Sequence, residues 1–185
     1  MTPNTRHRVF LSFHHALDEW YKQRFEQLFH HYEKAIISHS VQDGDIDVFA
    51  STETIRKTIR DNNLRASSVT VVLVGQQTWK RKHVDWEIAS SLCHTLQNRR
   101  SALIGLLLPS RPDFNQSAAH AGTIPARLVD NVRRGYASLH DWTEDATRMT
   151  TIIHNAWLRR FGAVEPEQSR AMLTYNVRDG LTSWE

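Results

Sequence analysis

The chain alternates between short runs of β-branched and aliphatic residues and longer stretches where apolar residues return every three or four positions. The first pattern predicts strands and the second predicts helices with one buried face. "VFLSF" (9–13) is the first β-rich run. Leu17, Tyr21, Phe25, Leu28 and Tyr32 then form one stripe, which predicts a helix from Asp18 to about Lys34. "IISHSV" (36–41) reads as a second strand, and "QDGDIDVFASTE" (42–53) as a loop rich in turn formers. Ser51 or Thr52 is placed to cap a helix running to about Asn63, with Ile55 and Ile59 inward. "VTVVLVG" (69–75) is the clearest strand, because an unbroken β-branched run is buried on both faces.

"KRKHVDWEIASSL" (80–92) opens the next helix, expected to reach about Asn98 with Val84, Ile88, Ala89, Leu92 and Leu96 as its core stripe. At about 100° per residue, Glu87 falls almost opposite that stripe, near Ser90, Ser91 and His94, so it is expected outside the core. "ALIGLLL" (102–108) is another two-sided strand, 109–134 is long and irregular with three prolines, and "YASLHDW" (136–142) suits a final strand. Asp141 or Thr143 then caps a helix in which Met149, Ile152, Ile153, Ala156, Trp157 and Phe161 share a face. No periodicity follows Gly162, which divides the chain into a body, 1–162, and an extension, 163–185. The extension is expected to pack through Met172, Leu173, Tyr175 and Trp184, or to stay loose.

This alternation predicts an α/β domain with a central parallel sheet flanked by helices. Five strands suit the flavodoxin-like order 2-1-3-4-5, in which ligands bind beyond the carboxyl ends of strands one and three, where the order reverses. That topology brings His14, His15 and Glu87 towards one crevice. Glu87 then has two readings, a charge complementing the helix dipole or an acid at the mouth of a ligand cleft. Trp86 likewise reads as a structural wedge or as a wall for a planar ring.

Composition narrows the chemistry. One hundred and eighty-five residues suit one domain. A single cysteine, Cys93, excludes an internal disulfide and fits a cytoplasmic setting. The start, "MTPNTRHR", has no apolar signal region, and no apolar run approaches the roughly 18 residues of a membrane span. A net charge of +3 is mildly basic, and arginine pairs near expected helix ends argue against a nucleic-acid surface while leaving an anionic small molecule compatible. No Cys or His spacing forms a metal-binding pattern, and His30-His31 reads as helix surface. GxGxxG, Walker and GxSxG sequences are absent, and strand three ends in Val74-Gly75 rather than in the aspartate of a receiver domain. Cys93 is expected on the inner half of its helix, in an inert position.

"RVFLSFHHALD", "IRKTIRDNNLRASSVTVVLVGQQTWKRKHVDWEIASSL" and "IPARLVDNVRRGYASLHDW" resemble the TIR-like domains of the Thoeris bacterial anti-phage system, over roughly residues 6 to 160. Many TIR domains carry Trp-Cys ahead of the catalytic glutamate; His83-Val84 stands here, so the resemblance is to the Thoeris-type subgroup. It implies a TIR fold, with a five-stranded flavodoxin-like sheet, and an enzyme that consumes NAD+ as substrate with no bound cofactor. Motif matching puts the catalytic glutamate at Glu87. Phe13, His14, His15, Trp79 and Trp86 are candidates for the adenine, phosphate or nicotinamide surfaces. Asp43, Asp45 and Asp47 lie in the loop that borders the site in TIR domains, and Asp45 is the candidate substrate contact there. The resemblance also implies a cyclic or conjugated ADP-ribose product that diffuses to a separate effector, self-assembly, and a phage-derived trigger. The competing expectation is a non-catalytic interaction module of the same fold.

Overall fold

A computed structural model describes residues 7–29, 36–37, 50–65 and 67–184, with backbone only at 36–37. Strands β1 (Val9–Ser12), β2 (Ile36–Ile37), β3 (Val69–Val74), β4 (Ala102–Leu107) and β5 (Ala137–Asp141) lie parallel in the order β2-β1-β3-β4-β5. Four of these are full strands. The expected second strand, 36–41, is reduced among the described residues to a two-residue piece pairing Val9 with Ile36 and Phe10 with Ile37. The candidates in the loop after it, Asp43, Asp45 and Asp47, lie outside the described residues, as do His30, His31 and Tyr32.

Among the described residues, five α-helices cover the sheet: α1 (His15–Leu28), α2 (Thr52–Asn62), α3 (Lys82–Ser91), α4 (Ala126–Arg133) and α5 (Ala146–Arg159). Side-chain alternation on the strands decides which helix each residue meets. Val9, Leu11 and Phe13 face Phe25 of α1 and Met149, Ile152 and Ile153 of α5. Phe10 points the other way, against Ile55 and Ile59 of α2 and Trp86 of α3. Val72, Val74, Leu103 and Leu107 meet α3 and α4 on that same second face.

Several boundaries differ from the expectations. Helix α1 starts at His15, and Leu17 is exposed while Asp18 is buried, because the helix docks its first turn through a polar contact rather than through its apolar stripe. Helix α3 stops at Ser91, so Leu96 lies beyond it, fully exposed, and Cys93 sits past the helix end. Helix α4 lies within the stretch read as irregular; it has eight residues and begins directly after Pro125. Ser51 caps α2, accepting from the Thr54 N–H at 3.1 Å. Asp145, rather than Asp141 or Thr143, caps α5.

Residues 163–184 contain no helix or strand and form a strap. It starts beside the C-terminal end of α4, where the Asn131 side chain pairs with the Glu167 backbone, and returns to its other end, where Trp184 donates to Ile124 O at 2.6 Å. Between these it crosses the start of α3. Asp85 accepts from Arg127 Nε at 2.8 Å, from Arg127 Nη2 at 3.3 Å and from the Leu173 N–H at 2.8 Å. Arg127 also donates from Nη1 to the carbonyl of Arg170 and from Nη2 to that of Ala171. Leu173 O accepts from Trp86 Nε1 at 2.6 Å. Tyr175, expected to anchor this segment, is exposed.

One buried ion pair thus joins α3, α4 and the strap. Removing one partner leaves a desolvated charge, which costs about 3–5 kcal/mol. Arg127→Ala is expected to lower the unfolding free energy by about that amount in urea denaturation.

Candidate functional site

The carboxyl ends of β1 and β3 are tied together by a short polar chain. Thr78, in a 3₁₀ turn over Thr78–Lys80, accepts from the Gly75 N–H at 2.8 Å and donates to Asp18 Oδ2 at 2.9 Å. A side chain at Gly75 would meet that carboxylate, since a Cβ there would lie 2.3 Å from Asp18 Oδ1. Glycine is therefore required by the approach of α1, not by an unusual backbone angle. Burial pushes the Asp18 carboxyl up to about 6, against the opposing effect of hydrogen bonds from Thr78 and the His14 backbone.

These contacts set the mouth of a cleft of about 710 Å³, lined by His14 from the loop after β1, Lys80 and Arg81 from the loop after β3, and strap residues including Arg178 and Asp179. It lies where the strand order reverses, as ligand sites do in open α/β sheets. His14 caps α1, and its imidazole is held below its ordinary range by desolvation, then by the Arg81 charge and His15. Lys80 is largely buried, with Nζ 5.2 Å from the centre of the Trp79 ring.

Glu87 has no exposed surface, and neither it nor His15 lines this cleft; of the three residues expected at one crevice, only His14 does. Glu87 Oε2 accepts from Ser12 Oγ at 2.5 Å, across the join between α3 and the last residue of β1. The expectation that Glu87 lies outside the core is overturned. A helical wheel assumes one buried face, whereas every residue of α3 from His83 to Ser91 is buried, between the sheet and neighbouring helices. Ser12 faces α3 because it shares the strand face of Phe10, and the same alternation turns Phe13 to the opposite side of the sheet.

The aromatic candidates divide accordingly. Phe13 belongs to the core under α1 and α5. Trp86 is a wedge between α2, β1 and the strap, with Lys82 Nζ 5.4 Å from its ring centre. Trp79 is buried beside Lys80, and none of the three lines the cleft. His15 contacts Phe13, ring centres 4.6 Å apart, and His83, 5.2 Å apart. His83 precedes Glu87 by one helical turn, so α3 carries a histidine and a carboxylate on one side.

Ser12 and His83 were not singled out from the sequence. A lone serine within "VFLSF" and the four-residue spacing of His83 and Glu87 were the available signals. Lys80, Arg81 and the strap were also passed over as cleft residues. Among the described residues, no cluster of His, Cys, Asp and Glu is arranged to hold a metal, and no helix is long and apolar enough to cross a membrane. Burial raises the Cys93 thiol above its ordinary range, the opposite of the lowering that marks a reactive thiolate.

Residues 10–113 match the family model described as the Thoeris protein ThsB, TIR-like domain. That span runs from β1 past the end of β4 and contains Ser12, Lys80, Arg81 and Glu87. No curated protein matches the chain.

Between pH 4 and 6 the folded state holds a proton on Asp18 that the unfolded state, with its carboxyl near 3.8, has released. Stability therefore falls as pH rises through this window and levels off above it. Asp18→Asn is expected to remove up to roughly 3 kcal/mol of this pH dependence, measured as urea midpoints from pH 4 to 7.

Proposed function

We propose that this chain, which belongs to the TIR-like family of the Thoeris protein ThsB, is an enzyme that cleaves NAD+ at the bond between nicotinamide and ribose. The observation that carries this reading is Glu87: a carboxylate held by Ser12 in a water-excluded position at the carboxyl end of β1, the strand whose following loop supplies His14 to the cationic cleft. Breaking the glycosidic bond builds positive charge on the ribose, and a fixed carboxylate in a dry site stabilises that charge strongly. Nicotinamide leaves as a neutral group and needs no general acid, so one glutamate suffices. Ser12 orients the carboxylate, and His14 lies on the path of the incoming dinucleotide.

The Glu87 carboxylate has no exposed surface, so the ribose reaches it only after the residues over it shift. A protein that is silent until triggered follows from this, and a phage component or self-assembly is the proposed trigger. Water exclusion also favours capture of the ribosyl cation by a nucleophile other than water, giving a cyclic or conjugated ADP-ribose. Such a product would diffuse through the cytoplasm to a partner effector in anti-phage defence.

Complete burial of Glu87 also favours a second reading, a non-catalytic interaction module in which the Ser12–Glu87 contact only fastens α3 to β1. Nucleotide mass spectrometry on cells expressing the chain, before and after phage infection, separates the two. For the enzyme, an NAD-derived product appears on infection, and Glu87→Gln lowers it by about 100-fold or more. An undiminished product in the Glu87→Gln variant removes that residue from the mechanism. No product under any phage, with folded protein present, favours the module.

A further inference from the structure

We propose that the strap is part of the ligand site, with Arg178 joining Lys80 and Arg81 to grip the diphosphate of a nucleotide in the cleft. The ligand's identity as a dinucleotide rests on the function proposed above; the anion site itself rests on the cleft.

The strap is fixed beside these cations by its backbone and by one side chain. The Val177 N–H donates to Lys80 O at 2.9 Å, and Asn176 Oδ1 accepts from the Lys82 N–H at 2.9 Å in the first turn of α3. Arg178 follows directly and lines the same cleft. Gly180, with φ of +93°, then turns the chain out of the run, a conformation that glycine adopts without strain. The position of Arg178 is thus set by hydrogen bonds on the two residues before it.

Charge selects the ligand. Lys80, Arg81 and Arg178 bring three positive charges to the cleft against the single carboxylate of Asp179. Among the described residues, none of the three cations forms an ion pair. Arg81 Nε and His14 Nδ1, both on cleft-lining residues, are buried without hydrogen-bond partners. Buried polar nitrogens without partners are uncommon because each forfeits its hydration. An anion with several acceptor oxygens meets these needs, and arginine matches phosphate oxygens in a bidentate manner. The cleft, at about 710 Å³, has room for a nucleotide.

The test is calorimetric titration of the full chain with ADP-ribose, inorganic pyrophosphate and adenosine, using the unaltered protein, Arg178→Ala and Arg178→Lys. Arg178→Ala is expected to weaken ADP-ribose and pyrophosphate by about tenfold, the loss of one charge-assisted contact, with adenosine unchanged and partial recovery in Arg178→Lys. Equal ADP-ribose affinity in the unaltered protein and Arg178→Ala overturns the proposal, as does absence of ADP-ribose binding to the unaltered protein. Arg178 is exposed, and thermal melts check that both variants keep the fold. The two proposals fail separately. NAD+ turnover with unchanged KM in Arg178→Ala overturns this one alone, and Arg178-dependent ADP-ribose binding in a protein that never consumes NAD+ overturns only the enzymatic reading.

Discussion

Two carboxylates enter the protein interior on one ten-residue helix, and a desolvated carboxylate is tolerable only when its lone pairs are met. Asp85 is met by Arg127 and the Leu173 N–H, and Glu87 receives the Ser12 hydroxyl. These demands fix α3 in three directions. Arg127 draws α4 to it, Leu173 draws the strap across its start, and Ser12 fastens it to the end of β1. The cleft lies between the loops after β1 and β3 and the strap that is held across the start of α3.

The site therefore has two parts of different origin in the chain. Ser12, His14, Lys80, Arg81 and Glu87 fall inside the span shared with the family. Asn176, Arg178 and Asp179, together with α4 and its Arg127, lie outside it. The shared part carries the buried carboxylate of Glu87; the remainder supplies the strap wall of the cleft. Asp18 links the two loops of the shared part through Thr78 and Gly75, which makes the first turn of α1 a structural member of the mouth.

Much of this architecture could be read from local pattern. The β-branched run 69–74 and the aliphatic run 102–107 are strands at the heart of the sheet, and the Ser51 cap was visible in residue type alone. The helix carrying Glu87, and its place beyond β3, followed from the order of elements. The burial of Glu87 did not, because periodicity describes a helix packed on one side and α3 is covered on every side. Helix α4 escaped because eight residues after a proline give too few turns for a period to emerge. Leu17 misled for the converse reason: it continued an apolar stripe, yet the turn it occupies docks through Asp18. Of the strap, the packing of Met172 and Trp184 could be read from residue type, but its path could not, since most of its attachments use peptide groups, which every residue possesses.

That mode of attachment has a consequence for how the cleft can change over generations. Peptide groups of residues 170, 171, 173 and 177 hold the middle of the strap, so its anchorage there depends little on side chains, those of Arg170 and Asn176 apart. Positions such as Tyr175, Arg178 and Asp179, exposed and not among these anchors, can drift while the polypeptide stays in its track. The interior carboxylates have no such latitude, since each substitution there strands a charge or a donor. Wall and interior are thus under separate hereditary constraint: the wall can be rewritten one residue at a time, beside buried carboxylates that tolerate almost no revision.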